Sequence, residues 1–183
     1  MNFDVFGPFE IPRIPSLTII EDKKQAVGKV SKNADDENGE PKGKPGLSNA
    51  PGCYVFVMKA GKGYTPWYVG KSVKPTWTIV EEALWPDKVN KYNRLVAEKK
   101  GTPMLFIIPA LTEGGRFCKR TQNGLPAVDF VEQWLIGQAL NKNPELLNVH
   151  YARFLGNLHV PGMINPKPGK PSPAAQELVR AIS

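Results

Sequence analysis

Two short aromatic runs around a glycine-rich reversal constrain this chain more than anything else in it. They are Gly52-Cys53-Tyr54-Val55-Phe56-Val57-Met58 and Trp67-Tyr68-Val69-Gly70-Lys71-Ser72. Aromatic and β-branched side chains fit a pleated, half-buried surface, so the pair reads as a β-hairpin. Period-2 alternation sends Tyr54, Phe56 and Met58 to one face and Cys53, Val55 and Val57 to the other. Lys59 to Pro66 is the reversal, with glycines for unusual φ values and a proline before the second arm. Each arm carries a tyrosine two residues from a glycine.

The rest of the chain is read outward from that hairpin. Residues 1–20 alternate apolar side chains with Pro8, Pro12 and Pro15. Proline excludes a helix interior and disfavours a central strand. An extended arm follows, ending in a short strand near Leu17–Ile20, with the domain itself or a partner chain as its target. Residues 21–50 are polar and then rich in Gly, Pro and Lys; with little to bury, they read as a flexible linker or insertion. Residues 73–85 give no clear element, since Lys74-Pro75 argues against a helix running on from Ser72. A helix starts at Pro86-Asp87, with Val89, Tyr92, Leu95 and Val96 at helical spacing, and closes at Lys99-Lys100-Gly101. Met104 to Ile108 is the best buried-strand candidate after the hairpin.

Arg116, Lys119 and Arg120 then cluster in a polar loop, a pattern that suits phosphate contact or plain solvation. Asp129 opens the next helix, with Phe130, Val131, Trp134, Leu135, Gln138 and Ala139 at its 3.6-residue period. Asn141 to Pro144 ends it, and Leu146-Leu147-Asn148 follows. Residues 151–183 form a C-terminal extension in which Ser172-Pro173 caps a short helix, Ala174 to Ile182.

Charge sharpens the picture. The net charge is +7, yet residues 1–50 hold 7 basic and 8 acidic side chains, against 17 and 9 in residues 51–183. A basic domain favours a polyanion through counterion release, and nucleic acid is the commonest such partner. Cys53 and Cys118 give neither a disulfide framework nor metal-ligand spacing. The first residues lack a basic segment followed by a long apolar one, so no signal peptide is expected. No apolar run approaches the roughly 18 residues of a membrane span. The location expected is the cytoplasm, with no membrane contact.

The order Gly52-Cys53-Tyr54, then Tyr68-Val69-Gly70, then a helical glutamate in Phe130-Val131-Glu132-Gln133-Trp134, then Asn148, resembles the GIY-YIG nuclease domain. The resemblance covers roughly residues 51–150. It implies a small α/β domain of the α+β type, a central, mostly antiparallel three-stranded sheet flanked by helices, with residues 104–108 as the third strand. It implies a metal-dependent endonuclease that hydrolyses phosphodiester bonds in DNA, RNA not being excluded. Tyr54 would act on the attacking water as general base or relay, and Tyr68 would hydrogen-bond the phosphate or that water. Glu132 would bind Mg²⁺ or Mn²⁺, and Asn148 would help close the site. A single carboxylate suffices, because Mg²⁺ completes its shell with water and phosphate oxygens.

Other uses of these residues stay open. The tyrosines fit ordinary strand packing. Glu132, three residues after Asp129, fits a capping box, and Asn148 fits a turn. The family places an arginine on the helix after the second strand, whereas no arginine lies between Gly70 and Asn93. Lys71, Lys74, Lys88 and Lys91 do, and Lys88, then Lys74, are the candidates to neutralise the phosphate without an arginine's bidentate fork. The alternative function is a GIY-YIG-like module without catalysis that binds nucleic acid or protein, the latter through residues 1–20, which are also a candidate self-association segment.

Overall fold

The computed structural model describes residues 1–14, 23–38, 46–148, 157–159, 161 and 170–182. Strands β1 (Asn2–Phe3), β2 (Phe6–Glu10), β3 (Gly52–Ala60), β4 (Gly63–Ser72) and β5 (Thr102–Leu111) join in one antiparallel sheet. β5 lies between β3 and the N-terminal arm, and β4 is the outer strand beyond β3. The sheet is therefore wider than the three strands expected, because the arm adds β1 and β2 along β5. Phe6 faces Ile107 and Glu10 faces Met104. The expected strand at 17–20 lies outside the described residues.

The hairpin turns on Gly61 and Lys62 alone, so β3 and β4 extend into the longer reversal anticipated from sequence. Gly61 has φ 57°, the left-handed conformation that glycine adopts without penalty. Phe56 pairs with Tyr68 and Val57 with Pro66, which leaves Trp67 as an extra residue in a bulge. Pro66 is tolerated there because β4 is an edge strand.

Tyr54, Phe56, Leu105 and Ile107 share one sheet face, together with Phe9 and Ile11 from the arm. Helices α1 (Lys23–Asn38), α2 (Ile79–Ala83) and α3 (Pro86–Glu98) cover it. The opposite face, with Cys53, Val55, Val69 and Ile108, packs on α4 (Pro126–Lys142). The result is an α+β fold with helices on both sides of an antiparallel sheet. A last helix, α5 (Pro173–Ile182), follows Ser172, whose hydroxyl accepts from the Ala175 N–H at 3.2 Å. No helix among the described residues is long and apolar enough to cross a membrane.

Three helices depart from expectation. The polar stretch read as a linker contains α1, which buries Ala26, Val30 and Ala34, each four residues after the last. Asp35 then accepts from both the N–H and the hydroxyl of Ser48, at 2.8 Å each, and so ties α1 to the chain leading into β3. α2 occupies part of the stretch that gave no clear element. Its start is a capping box in which Thr78 accepts from Glu81 N–H and Glu81 accepts from Thr78 N–H. α4 begins at Pro126, not Asp129, with Pro at N1 where no N–H is needed. Glu132 therefore lies in the second turn and cannot close a capping box. Phe130 and Trp134 are exposed, whereas Val128, Ile136 and Ala139 form the buried seam.

Candidate functional site

Two glycines of the hairpin pattern are required by contact rather than by φ. A Cβ on Gly52 would overlap the Ile108 carbonyl, and one on Gly70 would overlap Cζ and Oη of Tyr54. Tyr54 is thus seated against the backbone of the neighbouring strand. It is fully buried, and its hydroxyl has no partner among the described residues. Burial, then the neighbouring Tyr92 and Tyr68 and the charges of Glu82 and Glu132, hold its pKa well above the ordinary tyrosine value.

Tyr68 lies on the same face, its ring centroid 6.3 Å from that of Tyr54 and 6.0 Å from that of Tyr92 on α3. Tyr68 is half-buried. Its pKa is pushed up to about 12 by burial, then by Glu132 and Glu82. Lys88 and Lys91, three apart on α3, lean over these rings: Lys88 Nζ is 5.7 Å from the Tyr54 centroid, and Lys91 Nζ is 5.6 Å from that of Tyr68. Lys88 is already matched, donating to the Glu82 carbonyl at 2.8 Å and pairing with the Glu82 carboxylate. Lys91 pairs with no carboxylate among the described residues.

On the other side of β4, Lys71 reaches α4. Its Nζ is 2.8 Å from both Asp129 Oδ1 and Glu132 Oε2. Burial pulls the Lys71 pKa down, but the two carboxylates outweigh it and hold the ammonium above the ordinary lysine range. Asp129 and Glu132 sit one turn apart on α4, so both can close on one cation. Cys53, beneath them, is a core thiol 3.5 Å from the Val128 carbonyl, its pKa raised to about 12 chiefly by burial.

Asn148 accepts from Val69 N–H at 2.9 Å and donates to Val69 C=O at 2.7 Å. The segment 143–148 continues that cover along the open edge of β4. Leu147 N–H donates to Trp67 C=O at 2.8 Å, and the Asn143 side chain donates to Pro66 C=O at 2.8 Å. Asn148 is thus a clamp on the edge strand, immediately before Gly70 and Lys71.

Lys74 is exposed on the rim of a cleft of about 310 Å³. Of the basic loop, Arg116 and Lys119 face solvent, but Arg120 turns inward. Its guanidinium donates to the carbonyls of Asn49, Ala50 and Lys74 and to the Ser72 hydroxyl, at 2.8–3.0 Å. This fork ties the chain before β3 to the chain after β4. Arg94 lines a second cleft with Trp67, Lys91 and Lys99.

Tyr54, Tyr68 and Lys88 therefore share one sheet face beside the second half of β4, and Glu132 lies with Lys71 on the other, its charge felt at both phenols. Lys74 stands at the rim, and Asn148 acts on the backbone. Lys71 and Lys91 are the two that sequence reasoning did not single out. Lys91 is legible as the i+3 neighbour of Lys88. The pairing of Lys71 with Glu132 is tertiary and has no local signature.

Among the described residues no group of three or more His, Cys, Asp and Glu gathers to hold a metal. Asp129 and Glu132, already closed on an ammonium, fit a site of one or two carboxylates. Mg²⁺ and Mn²⁺ accept such a site when water and phosphate oxygens complete the shell. The molecule is thus an α+β protein with a phenol–lysine–carboxylate cluster at one edge of an antiparallel sheet. Comparison with protein-family models, curated proteins and solved structures finds no match to this chain.

Proposed function

We propose that this protein is a metal-dependent endonuclease of the GIY-YIG type, hydrolysing phosphodiester bonds in DNA. The observation that carries the proposal is the placement, in the second half of one edge strand, of Tyr68 and Lys91 on one side and of the Lys71–Asp129–Glu132 cluster on the other, with the charge of Glu132 acting on the Tyr68 phenol. A phosphodiester needs positive charge on its oxygens as they gain charge, and donors aimed at them. Lys91, without a carboxylate partner, supplies that charge beside Tyr68. Tyr68, which keeps its proton, serves as a donor to the phosphate or the attacking water. Tyr54 lies behind it, sealed, and supports the Tyr68 ring. Lys88, with its charge matched by Glu82, ranks behind Lys91 as the group that neutralises the phosphate. Glu132, with Asp129, would hold a divalent cation after Lys71 swings aside toward the phosphate. Such a cation would supply an acidified water and charge on the leaving oxygen.

The test is cleavage of supercoiled plasmid and of labelled single- and double-stranded DNA and RNA, with Mg²⁺, Mn²⁺ or EDTA. Metal-dependent nicking lost in Glu132→Ala is the expected result. Full activity in a purified, folded Glu132→Ala protein overturns the proposal.

A second reading is a module that binds nucleic acid or protein without cleaving. Two features favour it: Tyr54 is closed to water, and both carboxylates are already paired with Lys71. It requires salt-dependent binding with no cleavage in any divalent metal, unchanged in Glu132→Ala.

A further inference from the structure

A large aromatic side chain stands exposed beside this cluster. Trp77, 39% exposed, forms one wall of the 310 Å³ cleft, with Lys71, Lys74 and Thr76 among its other lining residues. Its volume is at the small end of the clefts that accept small molecules. The cleft shares Lys71 with the Glu132 pair and Glu82 with Lys88, so it opens directly onto the cluster.

Trp77 is held through both its ring and its backbone. Its centroid is 4.4 Å from that of Trp85, with the planes 51° apart. Its carbonyl accepts from the Ser72 hydroxyl at 3.2 Å, and Ser72 in turn accepts from Arg120 at 2.9 Å. The next residue, Thr78, is fixed as the N-cap of α2. Lys74 lines the same cleft and pairs with no carboxylate among the described residues. A rigid, exposed indole beside unmatched positive charge is the arrangement by which proteins hold single-stranded nucleic acid: the ring stacks a base and the cation takes its phosphate.

We propose that Trp77 is a stacking platform for one unpaired base, with Lys74 on the adjoining phosphate, so that the preferred ligand is single-stranded or locally unpaired nucleic acid. A base inside a duplex presents its edges and not its face, so a stacking wall discriminates between the two forms. The position of the scissile phosphate rests on the nuclease reading; the stacking site does not.

Binding measured in EDTA separates the two. Fluorescence anisotropy with a labelled oligonucleotide, single-stranded and as its duplex, is compared for the wild-type protein, Trp77→Ala and Trp77→Phe. The wild type should bind the single strand more tightly. Trp77→Ala should weaken that binding by roughly five- to a hundredfold, the range for one lost stack, and leave duplex binding within about twofold. Trp77→Phe should recover most of the loss. Thermal melts of the three proteins establish that each is folded. Single-strand affinity unchanged in a folded Trp77→Ala protein overturns the proposal. So does an equal loss on both ligands, or no binding of the single strand by the wild type. Single-strand preference that depends on Trp77, with no cleavage in any metal, upholds the stacking site and removes the nuclease.

Discussion

The phenol of Tyr68 resists ionisation because burial, and then the charges of Glu132 and Glu82, disfavour the phenolate. This has a consequence for stability. An unfolded chain releases the Tyr68 proton near pH 10, whereas the folded chain keeps it to about pH 12. Below pH 10 the contribution is fully present; between the two values the unfolded state binds fewer protons, so stability falls as pH rises. Denaturant midpoints should drop across pH 10–12, and Tyr68→Phe should make that drop shallower. A Tyr68→Phe protein that loses stability as steeply as the wild type would remove this account. Tyr54 makes a contrasting prediction. Its buried hydroxyl has no partner among the described residues, and an unpaired buried polar group costs about 1–3 kcal/mol. Tyr54→Phe should therefore match or exceed wild-type stability, with the gain limited to about 1 kcal/mol by relaxation of the seat on Gly70. Cleavage should suffer in the other order. Tyr68→Phe should lose about a hundredfold or more, the scale of one lost hydrogen-bond donor to developing charge, and Tyr54→Phe much less. The reverse ranking would make Tyr54 the phenol that meets the reacting water.

At the scale of elements, Asn148 shows how a residue can matter to a site without entering it. Its two bonds to Val69 are part of the cover on the open edge of β4, which would otherwise offer unpaired backbone groups to another chain. Asn148→Ala should cost about 1–2 kcal/mol, two modest hydrogen bonds partly replaced by water. Asn148→Asp should cost more, since a carboxylate would face the Val69 carbonyl. Cleavage measured well below the melting transition should stay within a few-fold of wild type in Asn148→Ala. Unchanged stability with lost cleavage would instead place Asn148 on the substrate. The hairpin, α3 and the core of β5 were legible because their apolar periodicity is strong. The linker reading of 21–50 failed at α1 because mean polarity conceals a narrow seam, and Ala26, Val30 and Ala34 suffice where the helix docks along one line. The capping box at Thr78 and Glu81 is local, but the helix it opens has only five residues, too few to display a period. For α4 the start was misplaced by three residues, since Pro126 at N1 decides the boundary and Asp129 does not. Of the site, the tyrosines and Glu132 could be named from the chain. The clamp by Asn148, the pairing of Lys71 and the inward turn of Arg120 join residues 46 to 79 positions apart, and nothing local encodes them.

At the scale of the whole molecule, the N-terminal arm completes the sheet. β1 and β2 occupy the side of β5 away from β3, and Phe9 and Ile11 are buried in the same cluster as Tyr54 and Phe56. Burying two such side chains contributes on the order of 3–6 kcal/mol, a large share of the roughly 5–15 kcal/mol that holds a domain folded. Removing residues 1–14 would also uncover a ten-residue strand of mainly apolar sequence, an edge prone to pair with other chains. The shortened protein should therefore melt at a much lower temperature and form concentration-dependent aggregates in sedimentation velocity. Arm residues that served self-association alone would give the opposite outcome, a smaller and still stable particle on deletion. Val5→Asp separates the two further. Val5 is 62% exposed between β1 and β2, so the change should leave stability within about 0.5 kcal/mol if the arm works through its own sheet. A drop in molecular mass caused by Val5→Asp, with the melting temperature unchanged, would show that the exposed side of the arm holds a second copy.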